Sequence, residues 1–446
     1  MTKEQQNVVR FAPSPTGPLH IGSVRTALFN FLYARKNSAK FILRLEDTDT
    51  ERSKREFEED ILSGFEWLGI YYDELYKQSE RTEIYQEYIK KLIDSGCAYV
   101  SEEPSGERQS VIRFKNPNKS IRFEDIIRGE VSFDTTELGD FVIAKSENEP
   151  LYNLAVVVDD KEMGVTHIIR GEDHISNTPR QILILEALGV ERPFYAHIPM
   201  ILAPDRSKMS KRYGTVSITE YQKQGFLPEA ILNYLALLGW NPGGEKEVFK
   251  TEELIDLFDI NRVQKGGAIF STEKLRWFNS EHIKLLSKEE RDTKLMNFLK
   301  SRKNDLPEGL YELIQESESL REAICERTEV FEDVIGLASE GEYDYLLSSP
   351  EIDPEKINWK DTPSEQTRSH LDKLIDLLES LDSYEKPEFI KNAVWEYATE
   401  KGRGEVLWPM RVALSGKEQS LDPFTIASVL GKLKTVERLK KAKKNI

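Results

Sequence analysis

Side chains able to do chemistry concentrate in four short places. The first lies in Arg10 to Arg35, RFAPSPTGPLHIGSVRTALFNFLYAR, where His20-Ile21-Gly22-Ser23 follows a turn containing Pro13, Pro15, Gly17 and Pro18. An imidazole there can donate a hydrogen bond to a phosphate, the free N–H groups of a helix start favour anions, and Gly22 lets a ligand approach the backbone. Ser23 can cap the helix that follows. A lone loop histidine is more often structural, so His20 by itself assigns nothing. The second place is Glu46-Asp47-Thr48-Asp49 at the end of KFILRL, where turn chemistry and helix capping are the plain alternative to a site. The third is Arg170, which ends THIIR just before Gly171-Glu172-Asp173-His174. An arginine ending a buried strand needs a negative partner, either a protein carboxylate or a ligand. The fourth is the basic stretch Pro204 to Arg212, PDRSKMSKR, with Lys208 and Lys211.

These residues need elements to hold them. Val8, Val9 and Phe11 read as a strand and Ala27, Leu28, Phe31 and Leu32 recur at helical spacing, so the His20 stretch is strand, rigid loop and helix. In a parallel α/β sheet that junction lies at the carboxyl end of a strand, as does the acidic run after Lys40–Leu45. Ser53 and Glu56 form a possible capping box for a helix with Phe57, Ile61, Phe65 and Leu68 on one face, ending at Gly69. Arg81 to Ser95 reads as a further helix. Val111 to Lys145 turns β-like, suggesting an insertion between two halves of a nucleotide-binding fold, the second half starting near Leu151. Beyond 286 the period is helical: Leu371, Leu374, Ile375, Leu378 and Leu381 share a face, as do Phe389, Ile390, Ala393, Val394 and Tyr397.

The 446 residues suggest two to four domains, and 39% hydrophobic with 31% charged residues is ordinary for a globular protein. No apolar run reaches the roughly 18 residues that span a bilayer. Only Cys97 and Cys325 are present, too few for a disulfide framework or a four-cysteine metal site, so a cytoplasmic location is expected. A net charge of −16 argues on its face against nucleic acid as a partner, because phosphate binding normally needs a basic surface, but net charge is not its distribution. The Lys-rich end, Lys432 to Lys444, reads as a solvated tail.

With its flanks, the PSPTG...HIG...RTALFN stretch resembles the HIGH region of class I aminoacyl-tRNA synthetases, and its wording is similar to the bacterial-type glutamyl branch. RLEDTD, IRFEDIIRGEVSFDTTELGDFVI, the KMSKR loop and LWPMRVALSGKEQS continue the resemblance, which runs from about Val8 to Leu439. It implies a Rossmann-like α/β catalytic domain in two halves (1–79 and 147–215), an inserted α+β acceptor-end-binding domain (80–146), a stem-contact region (216–286) and an all-helical anticodon-binding region (287–446). It further implies ATP-dependent attachment of L-glutamate to the glutamate tRNA through a glutamyl-adenylate. His20, Lys208 and Lys211 take the catalytic positions, the two lysines stabilising the departing pyrophosphate. Pro13, Ser14, Gly17, His20, Gly22, Asp173 and Lys211 bind ATP. Arg10, Ala12, Ser14, Glu46, Tyr152 and Arg170 bind glutamate: Arg170 with Tyr152 at the side-chain carboxylate, Arg10 at the other carboxylate and Glu46 at the ammonium.

Magnesium is expected on the phosphates, with no protein side chain assigned to a metal. Zinc is not expected, because relatives that bind it carry a longer cysteine-bearing stretch where this chain has only VSEEPSGERQS, residues 100–110. The partners implied are glutamate tRNA, L-glutamate and ATP, with no membrane, and the enzyme is expected to be a monomer. Charging of glutamine tRNA as well, or an inactive tRNA-binding paralogue, are the alternatives.

Overall fold

A computed structural model describes residues 6–49, 51–103, 110–207, 209 and 217–446. Lys208 and Lys211 lie outside the described residues, as do 104–109 of the shortened segment. The chain divides into two compact units, Met1–Phe278 and Asn279–Ile446. The division falls before the boundary at 287 expected from sequence.

In the first unit, β1 (Val8–Phe11) leads through the Pro/Gly loop into α1 (Ile21–Lys36), followed by β2 (Lys40–Leu45), α2 (Arg55–Leu68) and β3 (Glu74–Lys77). Gly69 ends α2 in the left-handed conformation, which its missing Cβ permits. The helix begins at Arg55 after Lys54, with no side-chain cap, and the Ser53 hydroxyl has no partner among the described residues. The capping box expected from Ser53 and Glu56 is therefore not formed, because the chain turns helical after Lys54 instead.

The intervening segment holds α3 (Thr82–Asp94), β4 (Ala98–Glu102), β5 (Ser110–Phe114), β6 (Ser120–Asp125), β7 (Gly129–Asp134), β8 (Phe141–Ser146) and β9 (Glu149–Pro150). Then come α4 (Tyr152–Glu162), β10 (His167–Gly171), α5 (Thr178–Ala187), β11 (Phe194–Ile198) and β12 (Ile201–Leu202). The unit closes with α6 (Ile218–Lys223), α7 (Pro228–Leu237), α8 (Thr251–Leu257), β13 (Ala268–Ile269) and the start of α9 (Thr272–Leu285).

The main sheet runs β3-β2-β1-β10-β11-β6-β7, parallel except for the terminal β6–β7 hairpin. From β1 the chain winds one way to β2 and β3, and from β10 the other way to β11. The β1/β10 gap is thus the switch point, where open α/β sheets bind ligands beyond their strand ends. Strands β1, β2 and β10 are buried on both faces, which is why they read as continuous apolar runs.

The insertion differs from a separate domain in two ways. Its hairpin β6–β7 joins the main sheet at Asp125↔Tyr195, with Ile126 N–H bonded to the Tyr195 carbonyl at 2.8 Å. Only β4-β5-β8-β9 forms a sheet of its own. Its apolar side chains, among them Tyr85, Ile112, Phe114 and Ile143, share one core with Leu154, Val158, Ile182 and Tyr195 of the second half. A segment this short buries its faces most readily on a neighbour's core.

The second unit is helical among its described residues, comprising the end of α9 and then α10 (Lys288–Ser301), α11 (Leu310–Glu316), α12 (Glu318–Arg327), α13 (Glu332–Ser339), α14 (Asp344–Leu347), α15 (Ser364–Glu379), α16 (Pro387–Lys401), α17 (Arg403–Ser415) and α18 (Pro423–Lys444). The Lys-rich end is not a loose tail. Arg438 on α18 is buried and donates to the carbonyls of Tyr345, Leu414 and Ser348, while Lys440 and Lys443 pair with Glu379 and Asp372 of α15. Leu439 and Ala442 point inward, so the charges decorate one face of a packed helix.

Candidate functional site

A cleft of about 520 Å³ opens at the carboxyl ends of β1 and β10. Arg10, Ala12, Pro13, Ser14, Gly17, His20, Gly22, Glu46, Tyr152, Arg170 and Asp173 all line it. Lys208 and Lys211 cannot be placed, but Met209 between them lines the same cleft.

The Pro/Gly loop is held by backbone bonds at several points. Glu46 N–H reaches the Pro13 carbonyl at 2.9 Å, Lys54 N–H the Pro15 carbonyl at 3.0 Å, and Leu19 N–H the Asp60 carboxylate at 2.7 Å. His20 then caps α1 with its ring, Nδ1 accepting the Ser23 N–H at 3.2 Å. An acceptor Nδ1 leaves the ring proton on Nε2, which lies 3.0 Å from Ser23 Oγ. The cap is therefore His20, not Ser23 as expected, because the ring reaches the N–H that a serine at the cap position would take. A Cβ on Gly22 would lie 3.2 Å from the His20 ring atoms. Glycine at 22 thus makes room for the imidazole as well as for a ligand. Ser217, five residues beyond Arg212, bridges to His20, and Ile218 N–H bonds the Leu19 carbonyl at 2.9 Å.

Beneath the loop lies an ion network that sequence reading missed. Arg10 Nε donates to Asp160 Oδ1 at 3.1 Å, and Arg44, fully buried on β2, donates to Asp160 at 2.7 Å and to Glu46 at 3.1 Å. Asp159 next door takes Gln78, Arg81 and the Tyr85 hydroxyl. Burial alone would raise the Asp160 carboxyl, but Arg10 and Arg44 outweigh it and hold it below the usual carboxylate range. For Glu46 burial wins over Arg44 and Arg10, and its carboxyl lies above that range. Two signals were available: an arginine inside the apolar run KFILRL, and two aspartates closing LAVVVDD, both of which demand buried partners of opposite charge.

Arg170 is organised differently. Its Nη2 donates to Thr178 Oγ1 and Gln181 Oε1, both at 2.8 Å, and its Nε to His197 Nε2 at 3.3 Å. All three acceptors are uncharged, and Nη1 has no partner among the described residues. Burial, together with the nearby Arg10, lowers the pKa of the guanidinium from its ordinary value. Beside it the Tyr152 hydroxyl meets His174 Nδ1 at 2.9 Å. Burial, with the Arg170 charge, pushes the His174 imidazole down to about 4, so that ring is neutral near pH 7.

The cleft therefore offers a pinned N–H at a helix start, a buried carboxylate, and two buried arginines, one of which has an unspent donor. A family model for the catalytic domain of class I tRNA synthetases (E and Q) matches residues 6–109 and 102–277, and one for an anticodon binding domain matches 277–443. A glutamate–tRNA ligase of Carboxydothermus hydrogenoformans is 41% identical, covering 97% of this chain and 98% of that one. Another, of Natranaerobius thermophilus, is 39% identical, with 97% of each covered. The crystal structure of a glutamate tRNA ligase from Elizabethkingia meningosepticum, in complex with its amino acid, matches with a TM-score of 0.83 at 33% identity over 99% of each chain. Switch-point cleft, helical second unit and relatedness along nearly the whole length agree: the chain belongs to the class I tRNA synthetases of the glutamate and glutamine branch.

Proposed function

We propose that this chain is a glutamate–tRNA ligase. L-glutamate attacks the α-phosphate of ATP, giving glutamyl-adenylate and pyrophosphate, and the terminal ribose hydroxyl of glutamate tRNA then takes the acyl group. The observation that carries the reading is Arg170: a buried cation hydrogen-bonded only to neutral groups, with Nη1 unspent, beside Tyr152 in the cleft. Such a charge awaits an anion from outside. The N–H groups of Nη1 give a carboxylate charge-assisted bonds, whereas a neutral amide oxygen is met more weakly and an amide NH₂ sets donor against donor, so this position selects glutamate over glutamine.

Arg10 faces the other carboxylate and Glu46 the ammonium. His20 Nε2–H and the start of α1, with Pro13, Ser14, Gly17, Gly22 and Asp173, receive the ATP phosphates, and Lys208 and Lys211 neutralise the leaving pyrophosphate. Magnesium enters as the phosphates' counter-ion. Of the cleft carboxylates, Glu46 is bonded to Arg44 and Asp173 lies 3.9 Å from the His174 ring. The insertion takes the acceptor end, residues 216–286 the stem, and the helical unit the anticodon. The enzyme works as a monomer in the cytoplasm, a reducing compartment with which the two free cysteines agree.

The test is the ratio of kcat/KM for glutamate and glutamine in Arg170→Cys with saturating tRNA. A charge-assisted hydrogen bond contributes about 1.5–3 kcal/mol, so the preference for glutamate should fall roughly 10- to 150-fold. An unchanged ratio would overturn the assignment.

A further inference from the structure

The acceptors around Arg170 raise a question of aim. A guanidinium selects a carboxylate only if its plane is fixed, and beside the two Nη2 bonds the Nε contact holds the pivot between the side-chain stem and the fork. That contact is His197 Nε2.

His197 lies one residue before the end of β11 and is fully buried, its ring packed against both Phe123 and Tyr195. Its Nδ1 meets Asp125 Oδ2 at 2.6 Å, and its own backbone N–H reaches the same oxygen at 3.0 Å. Asp125 Oδ1 meanwhile accepts the N–H groups of Ile127 and Arg128 at 3.0 and 2.8 Å. With those donors the aspartate is held as an acceptor-only carboxylate, so the proton between it and the ring belongs to His197 Nδ1. Nε2 is then bare, and takes the Arg170 Nε–H and the Thr178 hydroxyl, 3.0 Å away. A proton on Nε2 would set donor against donor at Arg170. Burial, reinforced by Arg170 and opposed by Asp125, holds the His197 imidazole below its ordinary range, in keeping with a neutral ring.

We infer that His197, fixed in its Nδ1–H form by Asp125, is the positioning residue that aims Arg170 at the substrate's side-chain carboxylate and so sets discrimination between glutamate and glutamine. The inference rests on the reading of Arg170 given above. It also gives the β6–β7 hairpin a part in amino-acid selection, since Asp125 stands at the end of β6.

Two replacements of one residue separate this role from a merely structural one. In His197→Asn the amide NH₂ stands near the former Nδ1 and keeps the Asp125 bond, but nothing reaches Arg170. In His197→Gln the amide oxygen reaches the former Nε2 and restores an acceptor for Arg170 at the expense of the Asp125 contact. The glutamate-to-glutamine ratio of kcat/KM should fall roughly 10-fold in the Asn variant, mainly through the KM for glutamate, and stay within a few-fold of the parent in the Gln variant. The KM for ATP should hold in both. If the Asn variant keeps the ratio, or the Gln variant loses more of it than the Asn variant, the proposal falls.

Arg170→Cys is measured alongside. An unchanged ratio there removes the reading of Arg170 and this inference with it, whereas a collapsed ratio beside an intact His197→Asn removes only the inference. Should both variants misfold, the ¹⁵N resonances of the parent's histidine rings still decide. His197, assigned by elimination as the other five histidines are replaced one at a time, must show a protonated Nδ1 and a bare Nε2, and the opposite tautomer would overturn the proposal.

Discussion

Asp160 grips Arg10 with both carboxylate oxygens, Nε to Oδ1 at 3.1 Å and Nη2 to Oδ2 at 3.4 Å. The same carboxylate holds Arg44, which in turn holds Glu46, so one aspartate on α4 orients groups from β1, from β2 and from the turn after it. Removing its charge leaves two buried guanidinium groups short of an anion, a loss of about 3–5 kcal/mol where a buried pair is broken. Asp160→Asn should lower thermal stability markedly and raise the KM for glutamate more than that for ATP. Equal changes in both constants would mean that the network is structural only.

The ring-over-glycine contact at the start of α1 gives a test in which stability and activity part company. In Gly22→Ala the new Cβ presses on the His20 ring at 3.2 Å and must shift it. Alanine in a helix is about 1 kcal/mol better than glycine, so the fold should be as stable as before or more so. Displacing a preorganised donor should nevertheless slow pyrophosphate exchange by roughly 10-fold or more. Exchange at the parental rate would show that His20 Nε2–H plays no part in activation.

Loss of the Lys211 ammonium should cost activation roughly 10²-fold, with little change in ATP binding, because the charge it meets grows only as pyrophosphate leaves. Pyrophosphate exchange in Lys211→Ala within a few-fold of the parent would remove it from this role.

Acidification should act through imidazoles that folding takes wholly or partly out of water, His174 being half-buried and His167, His197 and His370 buried. His174 has its folded pKa pushed from 6.5 down to about 4, and His167, His197 and His370 are lowered too, burial being the largest cause in each. A group of this kind binds its proton more readily when unfolded, so its contribution to stability is whole above pH 6.5 and is lost as the pH falls from 6.5 towards 4. The falling net charge near the isoelectric point of about 5.1 acts the other way. The comparison is therefore between the parent and His174→Gln: the difference in Tm should move in favour of the variant between pH 7 and pH 5. A difference that stays constant would mean that His174 protonates as freely folded as unfolded.

Residues in a contiguous stretch were readable in advance, and those brought together from afar were not. Val8 to Phe11, the proline-rich turn and the stripe of α1 predict strand, loop and helix from local patterning, and Arg10, His20 and Glu46 follow because strand ends face a shared crevice. Asp125, His197, Gln181 and Thr178 could not be read in this way. Their meeting with Arg170 depends on the β6–β11 pairing and on which face of α5 turns inward, and neither leaves a mark in the order of residues. Local rules also misled in places. Serine is the statistically favoured cap, yet at the start of α1 the imidazole of His20 takes the N–H. The lysines of α18 look solvated as a string, but the intervening Arg438, Leu439 and Ala442 tie the helix down.

The pairing of β1 with β10 also bears on how the chain comes into being at the ribosome. The Thr166 hydroxyl contacts the Val8 backbone across 158 residues, and Val9 lies opposite His167. At roughly 5–20 residues per second, β1 waits about 8–30 s for β10, with that edge open. That edge is apolar and buried on both faces in the finished sheet, the kind that pairs with stray strands. Binding of a chaperone to nascent chains should accordingly be strongest once β3 has emerged and fade after β11 has left the exit tunnel.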